Sequence, residues 1–236
     1  MRNRFVGWIV VVTAVVGLWH VRPARTAQQV ATAKTETATP IPDLSGVWLE
    51  RKFIPKMYLD GAPPLQPWAE AKFKAADVTK NDPNLSCLPE GVPRVMFIPL
   101  PMEIIQIPGR VLIRQEAWNQ FREIFTDGRQ HPKDLDPTFM GHSTGKYEGD
   151  ALVVDTVGFN ERTWLDHVGL PHSDALHVVE RIRRVDHNTL QDDFTIDDPK
   201  AFTKTWTAQQ TYNLKPGWEI AEFVCENNKY KTHETK

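Results

Sequence analysis

Apolar and polar residues alternate with a period of two from position 102 onward. The segments 102–107, 111–117, 120–126, 143–147, 151–157, 176–185, 190–196, 203–214 and 219–225 are short, β-branched and aromatic, and read as strands. Turn signals separate several of them: Pro108-Gly109, Asp127-Gly128, Glu148-Gly149-Asp150, positions 186–188, and Lys215-Pro216-Gly217. That spacing predicts antiparallel hairpins. Upstream, 45–53 (SGVWLERKF) predicts a first strand, and 67–76 a short amphipathic helix. Pro67 suits its first turn, where a missing amide costs no hydrogen bond. Five prolines in 81–101 predict an extended surface loop anchored by Cys87. Ten or so strands with one helix predict a closed barrel or a sandwich, and closure would remove vulnerable sheet edges.

Period two also assigns faces. Along 176–185, His177, Val179, Arg181, Arg183 and Val185 share one side, while Leu176, Val178, Glu180, Ile182 and Arg184 share the other. Glu180 thus stands among apolar neighbours. A carboxylate so placed either pairs with an arginine such as Arg122 or takes a raised pKa suited to acid and base work. Glu116, between Arg114 and Trp118 on one strand face, poses the same choice, and an internal salt bridge is the structural alternative for both.

The N-terminus changes the compartment expected. Arg2 and Arg4 precede an apolar run, 5–19, of about fifteen residues, and Ala31-Thr32-Ala33 offers small residues for cleavage, with Ala27 an earlier alternative. A membrane span needs about 20 residues, so a signal peptide over 1–33 is expected, with an uncleaved anchor as the alternative. No cysteine follows the run closely, so no lipid attachment is expected there. Residues 34–42 read as a flexible lead-in and 43–236 as a single β-barrel domain. Export to the periplasm or beyond favours a disulfide between the only two cysteines, Cys87 and Cys225, over free thiols.

Charge narrows the partners. The 28 basic and 30 acidic side chains are interspersed and the net charge is -2, which leaves no basic stripe for nucleic acid and no polybasic face for a membrane. Eight tryptophans and eleven phenylalanines supply apolar area for a core and for a small hydrophobic or amphipathic ligand.

Gly46-Val47-Trp48 at the first strand resembles the G-x-W signature of lipocalins, whose tryptophan plugs one end of a ligand-enclosing barrel. The stretch 141–160 (GHSTGKYEGDALVVDTVGFN), with Thr195-Ile196-Asp197-Asp198-Pro199 and Cys225-Glu226-Asn227-Asn228, resembles a family of exported bacterial proteins. These resemblances imply export and an all-β, antiparallel lipocalin-like (calycin-type) barrel with one short helix and long loops. They imply no particular chemistry. The insertion 55–101 is longer than a usual lipocalin loop.

Candidate chemistry concentrates in 139–180, which holds four of the eight histidines among several carboxylates. His142 lies between glycines where loop meets strand. The loop 164–173 carries Trp164, Asp166, His167 and His172 and is long enough for a lid. Asp166 can orient a histidine by accepting from one ring nitrogen, which leaves the other as a base. The expected site therefore has His142 or His172 as general base, Asp166 as its partner, and Glu180 or Glu116 as acid, all converging at one barrel mouth. Proton-transfer chemistry such as isomerisation, elimination or hydrolysis follows from that set. The alternative is a non-catalytic binder in which the ligand lies against Trp48, Trp118, Trp164 and Trp206, with Arg122 nearby. No cofactor is expected: no H-x-H or H-x-x-x-H spacing and no glycine-rich dinucleotide turn is present. Nothing in the chain specifies an oligomeric state.

Overall fold

The alternating segments close into a nine-stranded, lipocalin-like all-β barrel in the computed structural model, which describes residues 41–58, 61, 63–226, 229 and 230. The strands are β1 (Gly46–Glu50), β2 (Met102–Ile107), β3 (Arg110–Gln115), β4 (Phe121–Phe125), β5 (His142–Glu148), β6 (Ala151–Val157), β7 (His177–Asp186), β8 (Thr189–Asp197) and β9 (Trp206–Leu214). Strand β9 pairs back onto β1 and completes the closure. One α-helix, α1 (Pro67–Lys74), lies in the long β1–β2 connection, and β10 (Cys225–Glu226) pairs with β11 (Lys229–Tyr230) as a separate ribbon. The expected leader, 1–33, falls outside the described residues. Among the described residues no helix is long and apolar enough to cross a membrane.

Two expectations about the sheet are corrected. Strands β4 and β5 pair in parallel, because the connection 126–141 runs back along the barrel before β5 begins. Parallel neighbours need a crossover of about a dozen residues or more, and this one is long enough. Residues 219–224 form no strand. Ala221 and Phe223 instead donate their backbone N–H groups to the side chains of Glu116 (2.9 Å) and Asn119 (3.3 Å).

Strand directions place the short turns β2–β3, β5–β6 and β7–β8 at one end and the long connections at the other. At the end with short turns Trp48 is fully buried, donates Nε1–H to the Leu44 carbonyl (3.0 Å), and carries the Arg184 guanidinium 5.2 Å from its ring. Gly46 has φ +134°, and a Cβ there would stand 2.8 Å from Leu214 Cδ1, which explains the glycine of the G-x-W triplet. At the other end, a 3₁₀ turn over Arg94–Phe97 serves as a stopper. Phe97 packs against Phe194 with ring centroids 5.1 Å apart, and the Met96 carbonyl accepts from Tyr212 Oη (2.8 Å). The mouth expected to admit a ligand is therefore occupied by the chain's own buried residues.

Below the stopper a polar belt crosses the otherwise apolar interior. Arg122 is held by Glu180 through both carboxylate oxygens (Nη1 to Oε1, 2.7 Å, and Nη2 to Oε2), by Ser143 Oγ (3.3 Å) and by Thr156 Oγ1 (3.0 Å). Asp192 and Glu50 project into the same space. Burial, then the neighbouring Glu180 carboxylate, pushes Asp192 well above the usual range, and burial pushes Glu50 up to about 7. The belt thus holds one guanidinium among three carboxyl groups, of which one is ion-paired and the other two favour their neutral forms.

Candidate functional site

A groove of about 660 Å³ lies on the rim of the stoppered end, formed where the stopper segment meets the β3–β4 turn and the chain after β9. That volume lies within the usual range for small-molecule sites. Asp82, Asn84, Glu90, Arg94 and His167 form its polar floor, Glu116, Glu219 and Glu222 add carboxylates, and Phe53, Ile98, Leu100, Trp118, Trp218 and Phe223 supply apolar walls. Phe53 and Trp218 remain 44% and 48% exposed, so nearly half of each ring faces water where a ligand can cover it. Trp118 and Phe223 stack in a tilted pair, centroids 5.0 Å apart.

The polar floor is built from two consecutive 3₁₀ turns. Asp82 caps the first (Pro83–Ser86) by accepting from the Asn84 amide at 3.0 Å, and the second presents Arg94 back toward it. Arg94 grips both Asp82 oxygens through Nη1 (3.0 Å) and Nη2 (2.8 Å), while its Nε forms an ion pair with Glu90 Oε2. Asn84 Nδ2 donates to Glu90 Oε1. The Trp164 ring lies 5.7 Å from the guanidinium. Burial, opposed by the Arg94 charge, leaves the Glu90 carboxyl pushed up to about 7, poised to exchange a proton near neutrality. His167 is in the opposite condition. Burial, then Arg94, lowers it to about 4, so its neutral ring donates Nε2–H to the Phe97 carbonyl (3.2 Å) and presents Nδ1 to Arg94 (3.3 Å). That ring positions Arg94 and holds no proton to give.

The disulfide Cys87–Cys225 joins the two walls, since Cys87 follows the first 3₁₀ turn and Cys225 follows the segment bearing Trp218 and Phe223. This is the pairing expected from the sequence. Comparison with protein-family models and with curated proteins finds no match for this chain. Function must therefore be argued from the site alone.

The histidine-centred site expected from the sequence does not assemble: its members occupy separate environments with no hydrogen-bond partner in common. His142 opens β5 on the barrel's outer wall, stacked on Phe125 (5.3 Å), with Nδ1 2.8 Å from that of His131. His131 and His177 in turn flank Asp155, each at 3.0 Å, so this cluster clips the crossover onto β5, β6 and β7. His172 is buried in the β6–β7 connection, where it meets Thr163 Oγ1 (2.9 Å) and the Ser173 carbonyl (3.1 Å). Asp166 orients no histidine; its Oδ1 accepts from the backbone of Val168 (3.1 Å) and Leu170 (2.9 Å) and shapes its own loop. Glu180 and Arg122 satisfy one another inside the barrel, the structural alternative for that pair.

Glu116 and Trp118 do reach the groove, but from the β3–β4 turn, because β3 ends at Gln115 and Trp118 has φ +52°. Trp164 backs Arg94, Trp48 belongs to the end with short turns, and Trp206 borders a second hollow on the outer face of β8 and β9. Sequence reasoning placed His167 only in a lid loop and missed Asp82, Asn84, Glu90, Arg94 and Trp218. A signal was available: Glu90 and Arg94, opposite charges four residues apart, lie in a proline-rich loop pinned by a cysteine. Among the described residues no set of three or more His, Cys, Asp or Glu side chains is arranged to hold a metal ion.

Proposed function

We propose that this is an exported small-molecule-binding protein whose site is the rim groove, with an amphipathic ligand lying against the aromatic walls and its polar end over Glu90. The observation that carries this reading is the pairing of an apolar groove of ligand size with a buried carboxyl group whose pKa is about 7. Export is supported by the basic-apolar leader and by a disulfide of the kind that persists in oxidising compartments.

Glu90 also supports a catalytic reading. A carboxyl group that is half ionised near pH 7, steadied by Asn84 and Arg94, can take a proton from a bound molecule and return it elsewhere, as in an isomerisation or elimination. On that reading Glu90→Gln retains ligand and stops its conversion.

Native mass spectrometry of the mature protein purified from its own host is the test. A retained small organic molecule is expected, and its occupancy should fall in the Trp218→Ala variant. If no molecule is retained, or if Trp218→Ala retains it equally, the groove is not the site.

A further inference from the structure

Resting on the groove reading, we propose that the ligand is an organic cation: an amine or quaternary ammonium carried on an apolar body. Charge at the rim points this way. Asp82, Glu90, Glu116, Glu219 and Glu222 all line the groove, and Arg94 is the one Lys or Arg among its described lining residues. Arg94 is spent on Asp82 and Glu90, and His167, lowered to about 4, adds no positive charge near neutrality. An anionic head would meet this excess of carboxylate undefended.

A second observation comes from the floor. Asn84 is 5% exposed, and its Oδ1 is buried with no hydrogen-bond partner among the described residues, while its Nδ2 is committed to Glu90. A buried acceptor left open beside a carboxylate is matched by a donor, and an ammonium satisfies both its hydrogen bond and its charge. The walls complete the recognition. Aromatic faces carry negative quadrupoles and attract cations, and the Trp218 ring already has Lys215 Nζ 5.2 Å from its centroid.

The cation should bind in competition with a proton. Charged and titratable groups facing Glu90 are Arg94 beside it and Asp82 beyond, with His167 and Asp166 behind Arg94. With Glu90 at about 7, its ionised fraction falls from roughly nine-tenths at pH 8 to one-tenth at pH 6. Affinity for a cation should fall about tenfold over that interval, and affinity for a neutral molecule should not change.

The experiment uses three single-chain probes of equal length, octyltrimethylammonium, octyl glucoside and octyl sulfate, as monomers, read by tryptophan fluorescence and calorimetry. Mature wild-type protein is compared with Glu90→Gln, Glu222→Gln, Trp218→Ala and Phe223→Ala; Glu222 and Trp218 are exposed, which keeps at least two variants folded. The cation is expected to bind at least about tenfold tighter than the neutral probe at low salt. That preference should shrink in Glu222→Gln, and the pH dependence should vanish in Glu90→Gln. Equal affinity for cation and neutral probe, or tighter binding of octyl sulfate, overturns cation selection while leaving the groove as a site. If no probe binds, or if both aromatic variants bind like wild type, the groove reading falls and the cation proposal with it.

Discussion

Glu90 and Arg122 are both charged, both nearly inaccessible and both in contact with an opposite charge, yet their surroundings differ. Arg122 has its donors spread over Glu180, Ser143 and Thr156, and removing it would leave the buried Glu180 without its cation. Arg122→Ala is therefore expected to destabilise the protein by about 3–5 kcal/mol, measured by denaturant unfolding. A loss below about 1 kcal/mol would mean that the Arg122–Glu180 pair contributes no net stability. For Glu90 the amide replacement keeps an oxygen for Arg94 Nε, and the Asn84 amide can turn its Oδ1 to accept from the new NH2, whereas alanine leaves the Asn84 donor unpaired and Arg94 Nε with only His167. Glu90→Gln should lie within about 1 kcal/mol of wild type at pH 8, and Glu90→Ala should cost about 2–3 kcal/mol. Similar costs for the two would deny the Asn84–Glu90–Arg94 contacts their role.

Among the elements, the two walls of the groove come from opposite ends of the chain and are tethered across 138 residues by Cys87–Cys225. A loop of that length corresponds to roughly 5 kcal/mol in the chain-entropy account. Its effect on the site should exceed its effect on the barrel, because the nine strands close without it. The Cys87→Ser, Cys225→Ser double variant is expected to keep its sheet signature in circular dichroism while losing about tenfold or more in affinity for a groove ligand. Unaltered affinity would show that the Glu116 and Asn119 contacts to 221–223 hold the wall unaided. The other vulnerable element is the β4–β5 seam, which has only two paired positions, Ile124 with Ser143 and Phe125 with Thr144. The His131, His142, Asp155 and His177 cluster spans its outer side and gives those histidines a structural role.

For the whole molecule, buried titratable groups set opposing pH limbs. Glu50, at about 7, and Asp192 have folded-state pKa values above those of the unfolded chain, so the stability they contribute is complete at acid pH and is lost as pH rises, through about 7 for Glu50. His167, at about 4, and His172 are lowered instead. Their contribution is present above about 6.5 and is lost as pH falls below that, toward 4 for His167. Glu90, also at about 7, adds to the first group, so thermal midpoints measured from pH 4 to 9 should be higher at pH 6 than at pH 8. Glu50→Gln should remove the fall that Glu50 contributes between about 4.5 and 7, gaining on the order of 1 kcal/mol at pH 8 after allowance for solvent screening. A midpoint that kept rising to pH 9 would contradict this assignment.

The residue sequence by itself determined the barrel's strands, because period-two alternation is local: β2 and β6 match their expected ranges, and Glu180 faces inward as the alternation of 176–185 requires. Turn residues marked the hairpins for the same reason, and two cysteines admit one intramolecular pairing. What lay beyond local pattern was decided only in three dimensions. Whether β4 meets β5 parallel or antiparallel depends on the path of a sixteen-residue crossover (126–141), which carries no periodic signal. The density of histidines in 139–180 pointed to one site, but the barrel sends neighbouring residues to its outer wall, its interior and a buried loop. The groove arises from residues more than a hundred positions apart, with Glu90 and Arg94 on one wall and Trp218 and Phe223 on another. A carboxyl pKa near 7 is likewise a property of burial, and burial is conferred by the packed stopper and the disulfide rather than by the sequence around Glu90.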